Sequence, residues 1–247
     1  MNILAIDTAT EKMSVALLVA DGAQNDGRGD TWFFGIDAGM RHGELVMECA
    51  DALLRKAGIE PRDLGGVTCM EGPGSFTGLR IGFSTAKGLA LALGIPFAPI
   101  PTLDCLARPL SFWPGLAVPV LDAKQNAFFC ALFRGGRRLA PDMDAPAEDV
   151  AKAIAAEEPR EPILLFGPGA RLLFGKGGFR EGLGSAPAVL GEGVAWGNAA
   201  TLLEMARPVF AAGDSAALDA NLLSGPRYIR RSDAEINLGN KIPASDP

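Results

Sequence analysis

The sequence predicts an α/β fold built as two lobes, each with a mixed β-sheet flanked by helices. Two apolar runs near the amino terminus, residues 3–6 and 14–19, have the length and composition of strands and can form a hairpin. From residue 42 onward, helical patterns alternate with short apolar runs, as in sheets with helices on their faces. The 247 residues are enough for one large domain or two closely packed lobes.

Composition and charge narrow the possible functions. The formal net charge of −6 repels phosphate, which argues against a chain that holds a nucleic acid by itself. No apolar run approaches the roughly 18 residues of a membrane span, and no basic region precedes the first apolar run as in a secretory signal. Cys49, Cys69, Cys105 and Cys130 are widely separated in apolar segments, the pattern of buried thiols in a reducing compartment. We therefore expect a cytoplasmic protein.

A glycine-rich stretch, residues 71–80, joins the predicted strand 67–70 to a predicted helix over 81–93. Its three glycines and one proline indicate a sharp turn, and Ser75 and Thr77 are residue types that cap helices. Thr77 stands where both the P-loop and the dinucleotide fingerprint require a glycine. The spacing therefore favours a structural turn and cap over a phosphate site.

The helix after this turn has a face of small residues, Gly78, Gly82, Ala86 and Ala90, spaced four apart. Such a face permits close approach of another backbone, either from the helix's own sheet or from a second subunit. The residues alone favour the chain's own sheet.

A second predicted helix, residues 42–57, is too apolar for an ordinary surface helix. Its polar residues form one narrow stripe: Glu44, Glu48, Asp51 and Arg55. An apolar arc that wide requires a cover, either the other lobe or another protein. Gly58 follows as a natural C-cap.

The beginning of the chain resembles the actin-like ATPase superfamily. Asp7 and Thr8 stand at the mouth of the first hairpin, as in the first phosphate loop of that superfamily, and residues 31–34 supply a plausible third strand. This resemblance implies an actin-like ATPase (ASKHA) fold. Gly167 and Gly169 occupy the place of the adenosine-holding glycines, whereas the second phosphate loop, residues 122–126, contains no glycine.

Two interpretations of these residues stay open. Asp7, Thr8, Gly167 and Gly169 either form a weak or vestigial ATP or ADP site or satisfy local turns. We favour turns narrowly and expect no bound cofactor. An active actin-like ATPase, or a kinase acting on a small substrate, is the alternative function.

The blocks at residues 72–80 and 86–92 are similar to the signature of the TsaB (YeaZ) family. Members of that family are the non-catalytic partner subunit of the bacterial machinery that makes threonylcarbamoyladenosine in tRNA. Weaker similarities, in the order of the family, occur at residues 3–17, 42–45, 119–123 and 226–230. The resemblance thus extends over almost the whole chain.

The resemblance implies a scaffold that activates the catalytic subunit TsaD, which transfers threonylcarbamoyl to the adenosine beside the anticodon. TsaE, an ATPase, is the implied third component. From the net charge we expect tRNA to be contacted only through the complex, and from the apolar patch we expect a two-fold homodimer when the partner is absent. The two helices described above form the implied TsaD interface, which reverses the preference stated for the small-residue face. The predicted interface residues are His42, Glu44, Leu45, Met47, Glu48, Leu53, Gly78, Arg80, Gly82, Phe83, Ala86 and Ala90.

The predicted organisation places the docking helices in an amino-terminal lobe, residues 1–108. The second lobe covers residues 109–231, a helix at 198–212 packs back across the lobes, and residues 232–247 form a loosely ordered polar tail.

Three smaller predictions concern helix ends and the carboxyl terminus. Thr102 and Asn198 are expected to cap helices, the second of these being the last helix of the chain. Arg227, Arg230 and Arg231 form a basic cluster that we interpret as a solvated tail rather than a tRNA contact.

His42 is the only histidine, so the chain cannot supply the histidine pair of a zinc peptidase or of the metal site in the related catalytic subunit. No catalytic residue and no metal ligand is predicted. We expect His42 to be a residue of the helix start or the interface rather than a base.

Overall fold

The computed structural model describes residues 1–20, 29–191 and 198–230, which form two mixed β-sheets with helices on their faces. The first sheet contains β1 (Asn2–Asp7), β2 (Lys12–Val19), β3 (Asp30–Asp37), β4 (Leu64–Gly72) and β5 (Phe97–Pro101). Its order is β3-β2-β1-β4-β5. The first three strands are antiparallel, and β4 and β5 run parallel to β1. The predicted hairpin and third strand are confirmed, and both β2 and β3 are longer than predicted.

Helices cover both faces of the first sheet, which explains why β1 and β2 are apolar at nearly every position. On one face, side chains of β1 such as Leu4 and Ile6 pack against α1 (His42–Ala57) and α2 (Phe76–Leu93). On the other face, Ile3 and Ala5 pack against α7 (Asn198–Ala212). Successive residues of a strand point to opposite faces, so one strand supplies both cores.

The second sheet contains β6 (Leu116–Asp122), β7 (Ala127–Cys130), β8 (Phe133–Arg134), β9 (Arg137–Arg138), β10 (Met143–Pro146), β11 (Ile163–Phe166) and β12 (Ala188–Gly191). Its main order is β10-β7-β6-β11-β12, and β8 joins β6 to β9. On one face lie α4 (Ala147–Ala156), α5 (Ala170–Phe174) and α6 (Gly177–Leu183). On the other lies α3 (Thr102–Ala107), whose Leu103 and Leu106 pack against Phe166.

The end of the described chain returns to the first sheet. Helix α7 contacts β1, β2, β4 and β5, and also α3. The prediction that α7 is the last helix is wrong, because α8 (Ser215–Leu223) follows it and packs on β5. The Asn221 amide of α8 donates to the Phe97 carbonyl at 3.1 Å. The predicted tail, 232–247, lies outside the described residues.

The helix ends partly follow the predictions. Helix α1 has the predicted bounds, and Gly58 ends it in the left-handed conformation at φ 68°. The Ser75 hydroxyl accepts the Gly78 N–H at 3.3 Å, which confirms Ser75 as a cap. Thr77 lies inside α2, which begins at Phe76 rather than at the predicted residue 81. The prediction for Thr102 is wrong, because Pro101 occupies the N-cap position. The Thr102 hydroxyl is buried without a hydrogen-bond partner in the described part of the chain.

The small-residue face of α2 packs against the chain's own first strand and the turn after it. A Cβ added to Gly78 would lie 2.0 Å from the Thr8 carbonyl oxygen, and one added to Gly82 would lie 2.2 Å from Thr8 Oγ1. Ala86 and Ala90 further along are fully buried. This face is therefore required by the chain's own fold, and its assignment to a second subunit is corrected.

Among the described residues, none of the helices has both the length and the apolar content needed to span a membrane.

We expect Gly82→Ala to lower the free energy of unfolding by about 1–3 kcal/mol, because the new methyl group overpacks against Thr8. The displaced Thr8 hydroxyl would also lose its 2.7 Å hydrogen bond to the Gly78 carbonyl. Gly88→Ala on the same helix is the matched control. A Cβ there meets no atom within 4 Å, so the better helix propensity of Ala should raise stability by about 0.5–1 kcal/mol. Equal effects of the two substitutions in urea unfolding would contradict this packing.

Candidate partner-docking site

The outer surface of the first lobe is formed by α1 and α2, which lie side by side. Their contact includes Gly43 near the start of α1, where an added Cβ would lie 3.8 Å from Ile81 Cδ1 of α2. The inner faces of both helices cover the first sheet, so their opposite faces point away from the core.

Many of the predicted interface residues are core residues of this chain, which corrects their assignment. Phe83 packs edge-on against Phe97 with ring centroids 5.0 Å apart. The ring of His42 is buried and its Nε2–H donates to the Thr10 carbonyl at 2.7 Å. A partner cannot reach side chains that the chain's own sheet covers. The buried residues are His42, Leu53, Gly78, Gly82, Phe83, Ala86 and Ala90.

The remaining predicted interface residues stay predictions. Glu44, Met47, Glu48 and Arg80 are exposed, and Leu45 is half-buried against the core of the first sheet. Their positions on the outer sides of α1 and α2 are compatible with partner contact.

Exposed residues that the sequence reasoning missed complete this surface. Met40 is 87% exposed just before α1, and Leu91 is 60% exposed on α2. Ser84, Gly88 and Ala92 are also exposed, at a spacing of four residues on the side of α2 opposite the buried small residues. That second small-residue stripe was the signal available in the sequence. We call the exposed residues Met40, Met47, Ser84, Gly88, Leu91 and Ala92 the docking face.

The two helices differ in charge along this surface. Helix α1 exposes Glu44 and Glu48, together with an Asp51–Arg55 ion pair at 3.0 Å. Helix α2 contains no acidic residue, and its charged side chains are Arg80 and Lys87. A partner that covers both helices therefore meets a predominantly acidic side and a basic side.

The residues proposed for the first phosphate loop are engaged inside the protein. Asp7 is only 1% exposed; its Oδ1 accepts the Ala9 N–H at 3.0 Å and its Oδ2 accepts the Asn198 amide at 3.0 Å. The Thr8 hydroxyl donates to the Gly78 carbonyl. Asn198, predicted as a helix cap, thus uses its side-chain amide to hold the start of α7 to β1. The turn interpretation of Asp7 and Thr8 is favoured.

The proposed adenosine-holding glycines lie where a strand of the second sheet passes into a helix. Gly167 has φ 93°, and an added Cβ would lie 2.8 Å from the Val120 carbonyl oxygen of β6. A Cβ added to Gly169 would lie 2.7 Å from the Leu121 carbonyl carbon. The Gly169 N–H donates to the Val120 carbonyl oxygen at 2.9 Å. Close approach of β6 explains both glycines without a nucleotide.

The glycine-free loop of the second hairpin has an unexpected conformation. Lys124, Gln125 and Asn126 have φ values of 61°, 49° and 59°, the left-handed region that glycine usually occupies. The Asp122 carboxylate accepts the Lys124 N–H at 2.8 Å, which stabilises the first of these residues. The loop therefore adopts a left-handed backbone although it contains no glycine, which its composition did not indicate.

The carboxyl-terminal arginines are not a solvated tail, which corrects that prediction. Arg227 forms an ion pair with Asp142, and Arg230 forms one with Asp144. Arg231 lies outside the described residues.

Comparison with known proteins shows which family shares these features. The family model described as "TsaD: tRNA N6-adenosine threonylcarbamoyltransferase" matches residues 36–164. The tRNA threonylcarbamoyladenosine biosynthesis protein TsaB of Bacillus subtilis is 31% identical over 173 residues, 68% of this chain and 71% of that protein. The TsaB protein of Escherichia coli is 38% identical over 108 residues, but these are 44% of this chain and 43% of that relative.

The fold has a solved counterpart in Pseudomonas aeruginosa, a protein described as similar to the peptidase YEAZ. The two structures superpose with a TM-score of 0.73, covering 93% of this chain and 99% of the other at 24% identity. A second solved structure, YeaZ from the same organism, gives a TM-score of 0.66. The predicted actin-like fold of two lobes is confirmed.

The burial of Asp7 generates a pH-dependent prediction. Burial raises the pKa of Asp7 from about 3.8 to about 6, although the hydrogen bonds from Ala9 and Asn198 and the nearby His42 lower it. Because the folded state holds this proton more tightly than the unfolded state, ionised Asp7 costs stability. The cost appears as pH rises above about 4 and is complete above about 6.

Asp7→Asn cannot ionise at this position. As the pH is raised from 4 to 8, we therefore expect its free energy of unfolding to increase relative to that of the wild type by about 3 kcal/mol. Chemical denaturation at both pH values measures this change. Asp7→Ala, which loses both hydrogen bonds, should be less stable than Asp7→Asn at either pH. A relative gain of Asp7→Asn toward acid pH would show that the carboxyl is not buried as described.

Proposed function

We propose that this chain is the scaffold subunit that binds and activates the catalytic subunit TsaD. The proposal proceeds from its family, since the chain belongs to the TsaB (YeaZ) family of tRNA threonylcarbamoyladenosine biosynthesis. In this role TsaD transfers threonylcarbamoyl to the adenosine beside the anticodon of tRNA, and TsaE is the third component. The complex acts in the cytoplasm. TsaD carries out the chemistry, and this chain favours its active conformation by binding that conformation more tightly.

The docking face is the observation that carries this proposal. Met40 before α1, Met47 on α1 and Leu91 on α2 place large apolar side chains in solvent. Gly88 leaves the surface of α2 open, since a Cβ there would meet no neighbouring atom. A smooth apolar surface with charged residues around it is typical of a protein interface.

The non-catalytic part of the proposal is supported by how the polar residues are used. The carboxylate of Asp7 is buried and hydrogen-bonded on both oxygens, so it is not available to position a metal-bound water. His42 donates to a backbone carbonyl in the core. We therefore expect neither ATP turnover nor metal chemistry at these residues in the isolated chain.

The charge distribution supports indirect contact with tRNA. The net charge is −6, and the carboxyl-terminal Arg227 and Arg230 are paired with Asp142 and Asp144. Phosphate groups would have to compete with these carboxylates. A more basic partner is the better source of RNA contacts.

The docking face is also available for contact with a second copy when TsaD is absent. We expect a homodimer that dissociates when TsaD binds, because both partners use the same exposed apolar residues. Sedimentation of the isolated chain over a concentration series measures this association.

We expect Met47→Asp to weaken the complex with TsaD by at least about tenfold, because it places a charge in an apolar contact. Met47 is 46% exposed, so the fold should be retained. Val209→Asp on α7 is the matched control, since Val209 is 40% exposed and lies outside the docking face. Copurification and size-exclusion chromatography with TsaD measure the outcome. Unchanged binding by Met47→Asp, or an equal loss with Val209→Asp, would contradict the proposed interface.

A further inference from the structure

The described chain ends in a segment, residues 224–230, that crosses from the first lobe to the second. Its backbone lies against the glycine-rich turn before α2. The Arg227 N–H donates to the Glu71 carbonyl at 2.8 Å, and a Cβ on Gly72 would lie 2.4 Å from the Arg227 carbonyl oxygen. The turn therefore has no room for a side chain at Gly72 while this segment is in place.

Two arginines of the segment bind carboxylates near β10 of the second lobe. Arg227 pairs with Asp142, whose side chain is only 4% exposed. Arg230 binds Asp144 through both Nε and Nη2, the first at 2.7 Å, and its Nη1 donates to the Ala123 carbonyl at 3.2 Å. Bidentate pairs with little solvent exposure fix geometry better than single exposed ion pairs.

The tyrosine between these arginines contacts the helix of the docking face. The ring of Tyr228 packs against Phe76 in the first turn of α2 with centroids 4.9 Å apart. Its hydroxyl accepts Arg80 Nε at 3.0 Å, and the Arg80 guanidinium lies 3.9 Å above the Phe76 ring. The orientation of Arg80 therefore depends on Tyr228.

Arg227 is also needed to balance charge between the lobes. Arg227 pairs with Asp142 and lies near Glu71. Burial, Asp142 and Asp104 raise the pKa of Glu71, and Arg227 lowers it. Arg138 pairs with both Asp104 and Asp142. Loss of Arg227 would leave Glu71 near Asp104 and Asp142 with Arg138 as the remaining cation, which weakens the attachment of the turn to the second lobe.

We propose that residues 224–230 form a clamp that joins the second lobe to the start of α2 and thereby sets the position of Arg80 beside the docking face. This inference rests on the proposed function, since it assigns the clamp a part in controlling partner binding. Asp142 and Asp144 of the second lobe act on the docking helix through Arg227, Tyr228 and Arg230. Arg227, Tyr228 and Arg230 are positioning residues, and the residue that they position is Arg80.

The test compares Arg227→Gln with Arg108→Gln in the full chain. Arg108 pairs with Glu204 at 2.9 Å and belongs to no clamp contact, so its loss controls for removal of an ion pair. We expect Arg227→Gln to increase amide hydrogen exchange by roughly tenfold in residues 71–80 while α1 keeps its protection. TsaD affinity should fall by roughly tenfold as well.

A charge swap tests the pairing itself. Arg230→Asp alone should increase exchange in residues 71–80, and adding Asp144→Arg should restore protection, because the pair is remade with reversed polarity. If Arg230→Asp does not fold, Arg230→Lys, which keeps the charge and loses the bidentate geometry, should show a smaller change in the same direction.

The outcomes separate the clamp from the proposed function. Unchanged exchange in residues 71–80 with Arg227→Gln, or the same increase with Arg108→Gln, would overturn the clamp. Increased exchange with unchanged TsaD affinity would overturn its link to docking. Failure of the wild-type chain to bind TsaD would overturn the proposed function, whereas the exchange result on the isolated chain would still stand as the test of the clamp.

Discussion

The close contact between the start of α2 and the turn after β1 is the constraint on which the first lobe depends. Thr8 lies against Gly78 and Gly82 so closely that neither position can accept a β-carbon without movement. The Thr8 hydroxyl, which would otherwise be an unpaired buried donor, donates to the Gly78 carbonyl. Because this contact fixes which side of α2 faces the sheet, it also fixes which side faces solvent. The docking face is a consequence of how β1 and α2 pack.

Sequence periodicity predicted the elements better than it predicted their surroundings. Helix α1 has the predicted bounds because its apolar pattern and Gly58 agree on where it ends. The strands of the first hairpin were also found, since they are apolar on both faces. The small residues of α2 were a different case. Gly78 and Gly82 occur at the same spacing as Ser84 and Gly88, and spacing alone does not say which stripe meets the chain's own sheet. The residues alone favoured the chain's own sheet for Gly78 and Gly82, the resemblance reversed that preference, and their contacts with Thr8 agree with the residues.

The polar residues show the same limit of sequence reasoning. An Asp-Thr pair after a first strand indicates a phosphate loop only if its side chains point to an open cleft. Here Asp7 is covered by α7, and Asn198, which is 191 residues away, donates to it. A contact over that separation leaves no local pattern. The same holds for the arginines at residues 227 and 230, whose carboxylate partners lie about 85 residues earlier. Local composition made them resemble a tail, whereas the fold places them between lobes.

These contacts give the first and second lobes different roles in one surface. Helix α2 is held on its inner side by β1, which determines its position, and at its first turn by Tyr228, which belongs to a segment fixed to β10. The segment 224–230 contacts α2 at Phe76 and Arg80 through Tyr228. It also contacts α2 at Lys87, whose Nζ donates to the Ser224 carbonyl at 2.9 Å. Ligand or partner contacts that displace Asp142 or Asp144 would therefore reach α2 through this segment, and Arg80, which Tyr228 contacts, lies one turn from Ser84 in the docking face. The second lobe can therefore influence the proposed docking face through the contacts that residues 224–230 make with α2.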